Sequence, residues 1–138
     1  MMKKQFYNIR ITYFGVLGPI LFILYINAIC DLKINGQIVT YADDTCLLFS
    51  GDSWDEFRSI ATKAFKKIIN YLNHRKLSLN YQKTNYINFS INKDENYYDE
   101  LKICFCENED SCNTTLYQTI YKVSSIRYLG ITFDKHLK

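Results

Sequence analysis

The sequence predicts an α+β fold in which an antiparallel sheet, with an Asp-Asp hairpin at one end, packs on two helices. Three observations predict it. Aromatic residues make up 16% of the 138-residue chain, and twelve of them are Tyr; large rings suit a pleated, half-buried surface. Two short β-prone runs, Ile38–Tyr41 and Thr45–Phe49, flank Ala42-Asp43-Asp44, which is the pattern of a hairpin. Trp54, Phe57, Ile60, Ala61, Ala64, Phe65, Ile68 and Leu72 recur at three and four, the stripe of an amphipathic helix. With 48% hydrophobic and 22% charged residues, five Gly and one Pro, the chain has the composition of one folded domain, which excludes disordered and collagen-like classes.

Residues 1–14 show neither period and predict no element. Gly18-Pro19 then opens a helix over about 19–30, because Pro in the first turn loses no hydrogen bond there. That helix is apolar nearly all round, so burial on most sides is expected. Asn35-Gly36 signals a turn before strands at 37–41 and 45–49, whose runs are apolar on each face and so call for cover on each face. Ser53 followed by Glu56 is a capping box ahead of a helix over 53–74. Leu77 to Lys83 reads as a loop. Ile87, Phe89 and Ile91 alternate with Asn88 and Ser90 to predict a half-exposed strand. The stretch 92–113 is polar and acidic, an insertion or surface loop. Thr114–Lys122 and Ile126–Phe133 read as a second hairpin around Ser124-Ser125.

A net charge of +3 permits contact with nucleic acid without marking a dedicated binding module. The five cysteines are odd in number, which rules out a complete disulfide framework and points to a reducing compartment, cytoplasm or nucleus. Cys104-Phe105-Cys106 lacks both the spacing and the second Cys/His pair of a zinc site. The uncharged run Ile11–Cys30 follows Lys3, Lys4 and Arg10 and is long enough to cross a bilayer. Gly15, Gly18, Pro19 and Asn27 oppose insertion, so the expectation is a helix buried in protein and no membrane, with some of Ile20, Leu21, Phe22, Ile23 and Leu24 left exposed where a truncated chain lacks their neighbours. A small protein anchored through residues 11–30 is the alternative.

Two adjacent carboxylates at the tip of a buried hairpin are costly unless a positive charge compensates them. Their hard oxygens suit Mg²⁺ or Mn²⁺, ions that bind through one or two carboxylates plus substrate phosphates. Tyr41-Ala42-Asp43-Asp44 resembles the Tyr-x-Asp-Asp motif of reverse transcriptases. Upstream, Val16-Leu17-Gly18-Pro19-Ile20-Leu21-Phe22 with Leu24-Tyr25-Ile26-Asn27 resembles the tail of the second palm motif in non-LTR retrotransposon polymerases. Downstream, Lys76-Leu77-Ser78-Leu79-Asn80 with Lys83-Thr84 resembles the fourth motif, and Tyr128-Leu129-Gly130-Ile131 the fifth. The four blocks fall in the family's order over residues 15–134; residues 1–14 carry no match.

The resemblance implies a truncated, reverse-transcriptase-like palm and RNA-templated DNA synthesis with an RNA template, a DNA primer and deoxynucleoside triphosphates. It makes Asp43 and Asp44 the catalytic metal ligands for Mg²⁺ or Mn²⁺ and places Lys83 by the leaving pyrophosphate. Tyr41 then lies near the primer end, and Tyr128 and Gly130 lie in the hairpin that grips the primer. Two departures bear on activity. Where the family opens its second motif with Gly-x-Pro-Gln-Gly-Ser, this chain reads Arg10-Ile11-Thr12-Tyr13-Phe14-Gly15. The first palm motif, with a further metal-binding Asp, and the fingers find no residues here. The expected chain is therefore an inactive fragment that binds metal weakly. A non-catalytic nucleic-acid-binding remnant, using Lys63, Lys66, Lys67, Arg75, Lys76 and Lys83 against phosphates, is the other alternative.

Overall fold

A computed structural model describes residues 3–12, 19–42, 44–89, 99–104 and 117–135. Strand β1 is Lys3–Thr12, helix α1 is Pro19–Ile26 and continues as a 3₁₀ turn over Asn27–Asp31, and strands β2 and β3 are Gln37–Tyr41 and Asp44–Gly51. Helix α2 spans Trp54–His74. Beyond it come the two-residue strand β4 (Ser78–Leu79), a 3₁₀ turn at Tyr81–Lys83, β5 (Asn85–Phe89), β6 (Glu100–Cys104), β7 (Tyr117–Lys122), β8 (Ser125–Tyr128) and β9 (Ile131–Asp134). The main sheet runs β2-β3-β1-β5-β7-β6, with β4 also on β1, while β8 and β9 pair as a separate two-stranded sheet.

The segment before residue 15, which predicted no element, is the central strand β1. It pairs antiparallel with β3 and with β5. The sheet is also mixed and not purely antiparallel, because β5 and β7 run parallel (Asn85↔Tyr121). The expected hairpin around Ser124-Ser125 is replaced by two different pairings: β7 joins β5 and β6, and β8 turns into β9 across Leu129-Gly130 (Tyr128↔Ile131). The physical reason is local. Leu129 at φ 50° and Gly130 at φ 81° form the positive-φ pair that a two-residue hairpin turn demands, and Gly adopts it without strain.

The polar stretch around residue 100 is likewise not all loop, since β6 pairs with β7 (Leu101↔Ile120) and buries Leu101 and Ile103; residues 92–98 and 105–113 lie outside the described residues. β5 is not half-exposed. Tyr86 and Ile87 point to opposite faces and both are buried, as expected of an interior strand covered on each side. Within the predicted loop 77–83, Leu79 pairs with Ile11 of β1.

α2 forms for the reasons visible in its sequence. Ser53 Oγ accepts the Glu56 N–H at 3.2 Å, and the Glu56 carboxylate accepts the Asp52 N–H at 2.9 Å. The C-terminus closes with Leu77 N–H donating to Leu72 O and Lys76 N–H to Asn73 O, a Schellman motif in which Lys76 holds the left-handed conformation, φ 58°. Its apolar stripe, Phe57, Ala61, Ala64, Phe65, Ile68, Ile69 and Leu72, is buried against a sheet face carrying Tyr7, Ile9, Leu47, Phe49 and Tyr86. Tyr7 centres this layer, edge-on to Phe49 and Phe65 (centroids 5.4 and 5.3 Å) and stacked on Tyr86 at 5.2 Å. Burial raises the Tyr7 phenol above its ordinary pKa.

The opposite face is covered by the β8–β9 hairpin, whose Ile126 and Tyr128 pack on Cys46 and Ile87. That cover stops short of β2. As the edge strand it leaves Val39 and Tyr41 exposed, so the expectation of apolar cover on both faces holds for β3 and not for β2. α1 is buried on one side only, in line with the expected exposure of part of Ile20–Leu24. Phe22 and Ile26 are buried, but Ile20 and Leu24 are 75% and 68% exposed, with Leu21, Ile23 and Tyr25 exposed beside them. Among the described residues no helix is long and apolar enough to cross a membrane.

Candidate active site

Tyr41 closes β2 and Asp44 opens β3, and the two are register partners across the ladder. Directly opposed residues of an antiparallel pair carry their Cβ atoms about 5 Å apart on one face, so the Tyr41 phenol and the Asp44 carboxylate share that face. The connection between them begins with Ala42 at φ 53°, a conformation that costs an L-residue about 1–2 kcal/mol. Asp43 lies outside the described residues. Asp44 is half-buried and Tyr41 is 64% exposed, which leaves the tyrosine ring open to a large substrate at the sheet edge.

Asp44 shares its face with Cys46, and the β8–β9 hairpin reaches over both. The Tyr128 phenol is raised above its ordinary pKa by burial first, then by the neighbouring charges of Cys46 and Asp44. Tyr128 therefore sits close enough to Asp44 to feel it. Burial pushes the Cys46 thiol up to about 12, so it is a neutral core side chain and no nucleophile. Gly130 stands two residues on, in the turn, where a Cβ would meet nothing within 4 Å; its φ and not a close approach requires glycine.

Lys83 ends the 3₁₀ turn that Asn80 caps, its N–H donating to Asn80 Oδ1 at 3.2 Å, while the buried Thr84 hydroxyl donates to Asn80 O at 2.7 Å. The registers Asn8↔Asn85 and Arg10↔Asp44 set the start of β5 and Asp44 at the same end of the sheet on either side of β1, with Lys83 in the turn that leads into β5. The structure thus gathers Tyr41, Asp44 and Tyr128 on one face and Lys83 at the same sheet end. Sequence reasoning missed Asn85, whose buried amide oxygen has no hydrogen-bond partner among the described residues; the only signal was its place directly after Lys83-Thr84.

The strand beside Asp44 carries Arg10 at the paired position, and β1 holds no carboxylate at all. Among the described residues no group of three or more His, Cys, Asp or Glu could hold a metal ion. A family model described as reverse transcriptase (RNA-dependent DNA polymerase) matches residues 2–133. The chain belongs to the reverse transcriptase family. The match begins at residue 2, so β1 falls within the reverse transcriptase domain although it bears none of the four motif blocks. No curated protein and no solved structure matches this reverse transcriptase chain.

Proposed function

We propose that this chain is part of a palm from a non-LTR retrotransposon reverse transcriptase, that Asp43 and Asp44 are its metal ligands, and that by itself it does not extend a primer. The observation that carries the reading is the convergence of Tyr41, Asp44 and Tyr128 on one sheet face within a chain that the family model spans.

The donor set suits a hard divalent ion, since a half-buried carboxylate with a second one adjacent in sequence matches the one or two carboxylates that Mg²⁺ or Mn²⁺ takes from protein. When bound, such an ion supplies Lewis-acid stabilisation of the charge that develops as a nucleotide is joined to a primer hydroxyl. The chain's own residues do the positioning. Tyr41 offers an exposed ring beside the acid for the primer end. Tyr128 and Gly130 hold the second hairpin over the same face. Lys83 neutralises charge on the departing pyrophosphate. Arg10 and not a carboxylate pairs opposite Asp44, no third acidic ligand joins it among the described residues, and misplacement of reacting groups by about 1 Å can cost a hundredfold in rate.

Mn²⁺ titration followed by paramagnetic broadening tests the site. Broadening should centre on the amides next to Asp44, saturate only on the order of millimolar, and vanish in Asp44→Ala. Broadening centred on Glu107, Glu109 and Asp110 would sink the assignment. In a primer-extension assay on primed RNA with Mg²⁺ or Mn²⁺, no product above background is expected; product lost in Asp43→Ala would show that the chain is an enzyme on its own.

A further inference from the structure

The charge of this chain is segregated. Between Phe57 and Lys93 there is no Asp or Glu, yet eight Lys and Arg fall there, against a net charge of only +3 for the whole chain. Most of that charge sits on the solvent side of α2 and its C-terminal turn. Lys63, Lys67, Asn70 and His74 follow one another at four, three and four, which is a single exposed stripe of a helix. At 1.5 Å per residue the stripe is about 16 Å long, the axial length of about five phosphates of one nucleic-acid strand.

Three features of this stripe cost the fold something. Lys63 lies three and four residues from Lys66 and Lys67, and like charges at those spacings destabilise a helix. No Glu or Asp is interleaved, although opposite-charge pairs are the ordinary way to solubilise such a face. Lys76 occupies the left-handed position that ends α2, φ 58°, where Gly is unstrained. Lys67 on the stripe and Arg75 beside it are held in place. Lys67 Nζ donates to Lys33 O at 2.6 Å, and the Arg75 guanidinium lies 3.8 Å from the centre of the Tyr71 ring while its backbone carbonyl accepts the Tyr25 hydroxyl at 2.8 Å. The His74 ring donates from Nδ1 to Asn70 O at 2.7 Å.

We infer that the exposed stripe of α2, with Lys76 at its end, binds the phosphate backbone of a nucleic-acid strand. The occupant follows from the chemistry: Lys63 and the anchored Lys67, followed along one line by the hydrogen-bonding side chains of Asn70 and His74 and by Lys76, match a row of phosphates, and the stripe itself carries no apolar residue that a lipid surface would require. α2 covers the sheet face opposite the one that carries Cys46 and Tyr128. The surface is therefore distinct from the Asp44 site, and it stands whether or not Asp44 takes part in nucleotidyl transfer.

The test is fluorescence anisotropy of the whole chain with a fluorescein-labelled single-stranded RNA of mixed sequence, with chelator present, over salt from about 50 to about 200 mM. Lys63→Gln/Lys67→Gln relieves the repulsion but removes the Lys67–Lys33 O hydrogen bond, so its circular dichroism and Tm are compared with those of the unmodified chain. It should weaken binding about tenfold and lower the slope of log K against log salt by about 1.4, the value for two lost single-strand contacts. Lys102→Gln/Lys135→Gln, on exposed lysines elsewhere with the same change of net charge, should leave affinity within about twofold. Lys76→Gly should raise Tm and yet weaken RNA binding, a pairing that a purely structural lysine does not give. Equal losses in the two double variants, a Lys76→Gly chain with full affinity, or binding to vesicles containing phosphatidylserine without binding to RNA would each overturn the inference.

Discussion

The two helices feed the same core and meet opposite fates. α2 is amphipathic, and the residues its period marks as inward are the ones buried. α1 is apolar on every side, yet only Phe22 and Ile26, spaced at four, enter the core, and its remaining large residues face water. The difference teaches what a hydrophobic pattern does and does not say. A stripe names one face, and one neighbouring layer is enough to bury it. A helix that is apolar all round needs neighbours on all sides, and the described residues supply them on one.

Truncating the face that both helices share gives the largest expected effect. Phe65 is buried and edge-on to Tyr7, so Phe65→Ala should cost about 3–5 kcal/mol in urea unfolding, whereas Leu24→Ala should change stability by less than about 0.5 kcal/mol. Equal losses would break the comparison by showing the outer face of α1 to be packed.

Alkaline pH probes the layer under α2 next. Burial, with the nearby charges of Asp99 and Glu100, pushes the Tyr86 phenol up to about 12 from 10.0. The folded pKa is thus above the unfolded one, so this contribution is intact below about pH 10 and is lost as pH rises through 12, at about 1.4 kcal/mol per unit. Unfolding free energies measured from pH 9 to 12 should fall over that window, and Tyr86→Phe should lessen the fall, the remainder coming from Tyr7, Tyr81 and Cys46, which burial also raises. A flat profile for the unmodified chain would mean that the ring is not buried beneath α2.

Two smaller effects sharpen the contrast at the helices themselves. Ser53→Ala removes the side-chain acceptor for the Glu56 N–H and should lower stability by about 1 kcal/mol, with amide exchange accelerated in the first turn of α2 alone. Leu24→Asp, on the exposed side of α1, should leave unfolding energy within about 0.5 kcal/mol and raise the soluble fraction on expression, because it breaks an exposed apolar patch of the kind that drives aggregation. Loss of fold in Leu24→Asp would show that the patch has a partner within the chain.

By itself the sequence determined what depends on neighbours along the chain. It marked α2 from Ser53 through its period, whereas Asp44, expected at the hairpin tip, instead opens β3 as the partner of Tyr41. The Tyr128-Leu129-Gly130-Ile131 block held the turn that was misassigned to Ser124-Ser125, and its signal was the glycine. In β1, Tyr7, Ile9 and Ile11 alternate with Asn8, Arg10 and Thr12, a period of two hidden by the adjacent Phe6 and by the lysines before it. Gly36 read as a turn residue, but a Cβ there would press on the Phe49 ring and lie 2.7 Å from the Leu48 carbonyl oxygen, a close approach that no turn rule contains.

Only the tertiary structure decided that β1 lies between β3 and β5, that β7 runs parallel to β5, and that Tyr128 stands over Asp44. These are contacts between residues far apart in sequence, whose formation depends on the closure of long loops and on the fit of whole faces. The exposure of α1 was decided in the same way, since burial is a property of what surrounds a side chain and not of the side chain alone.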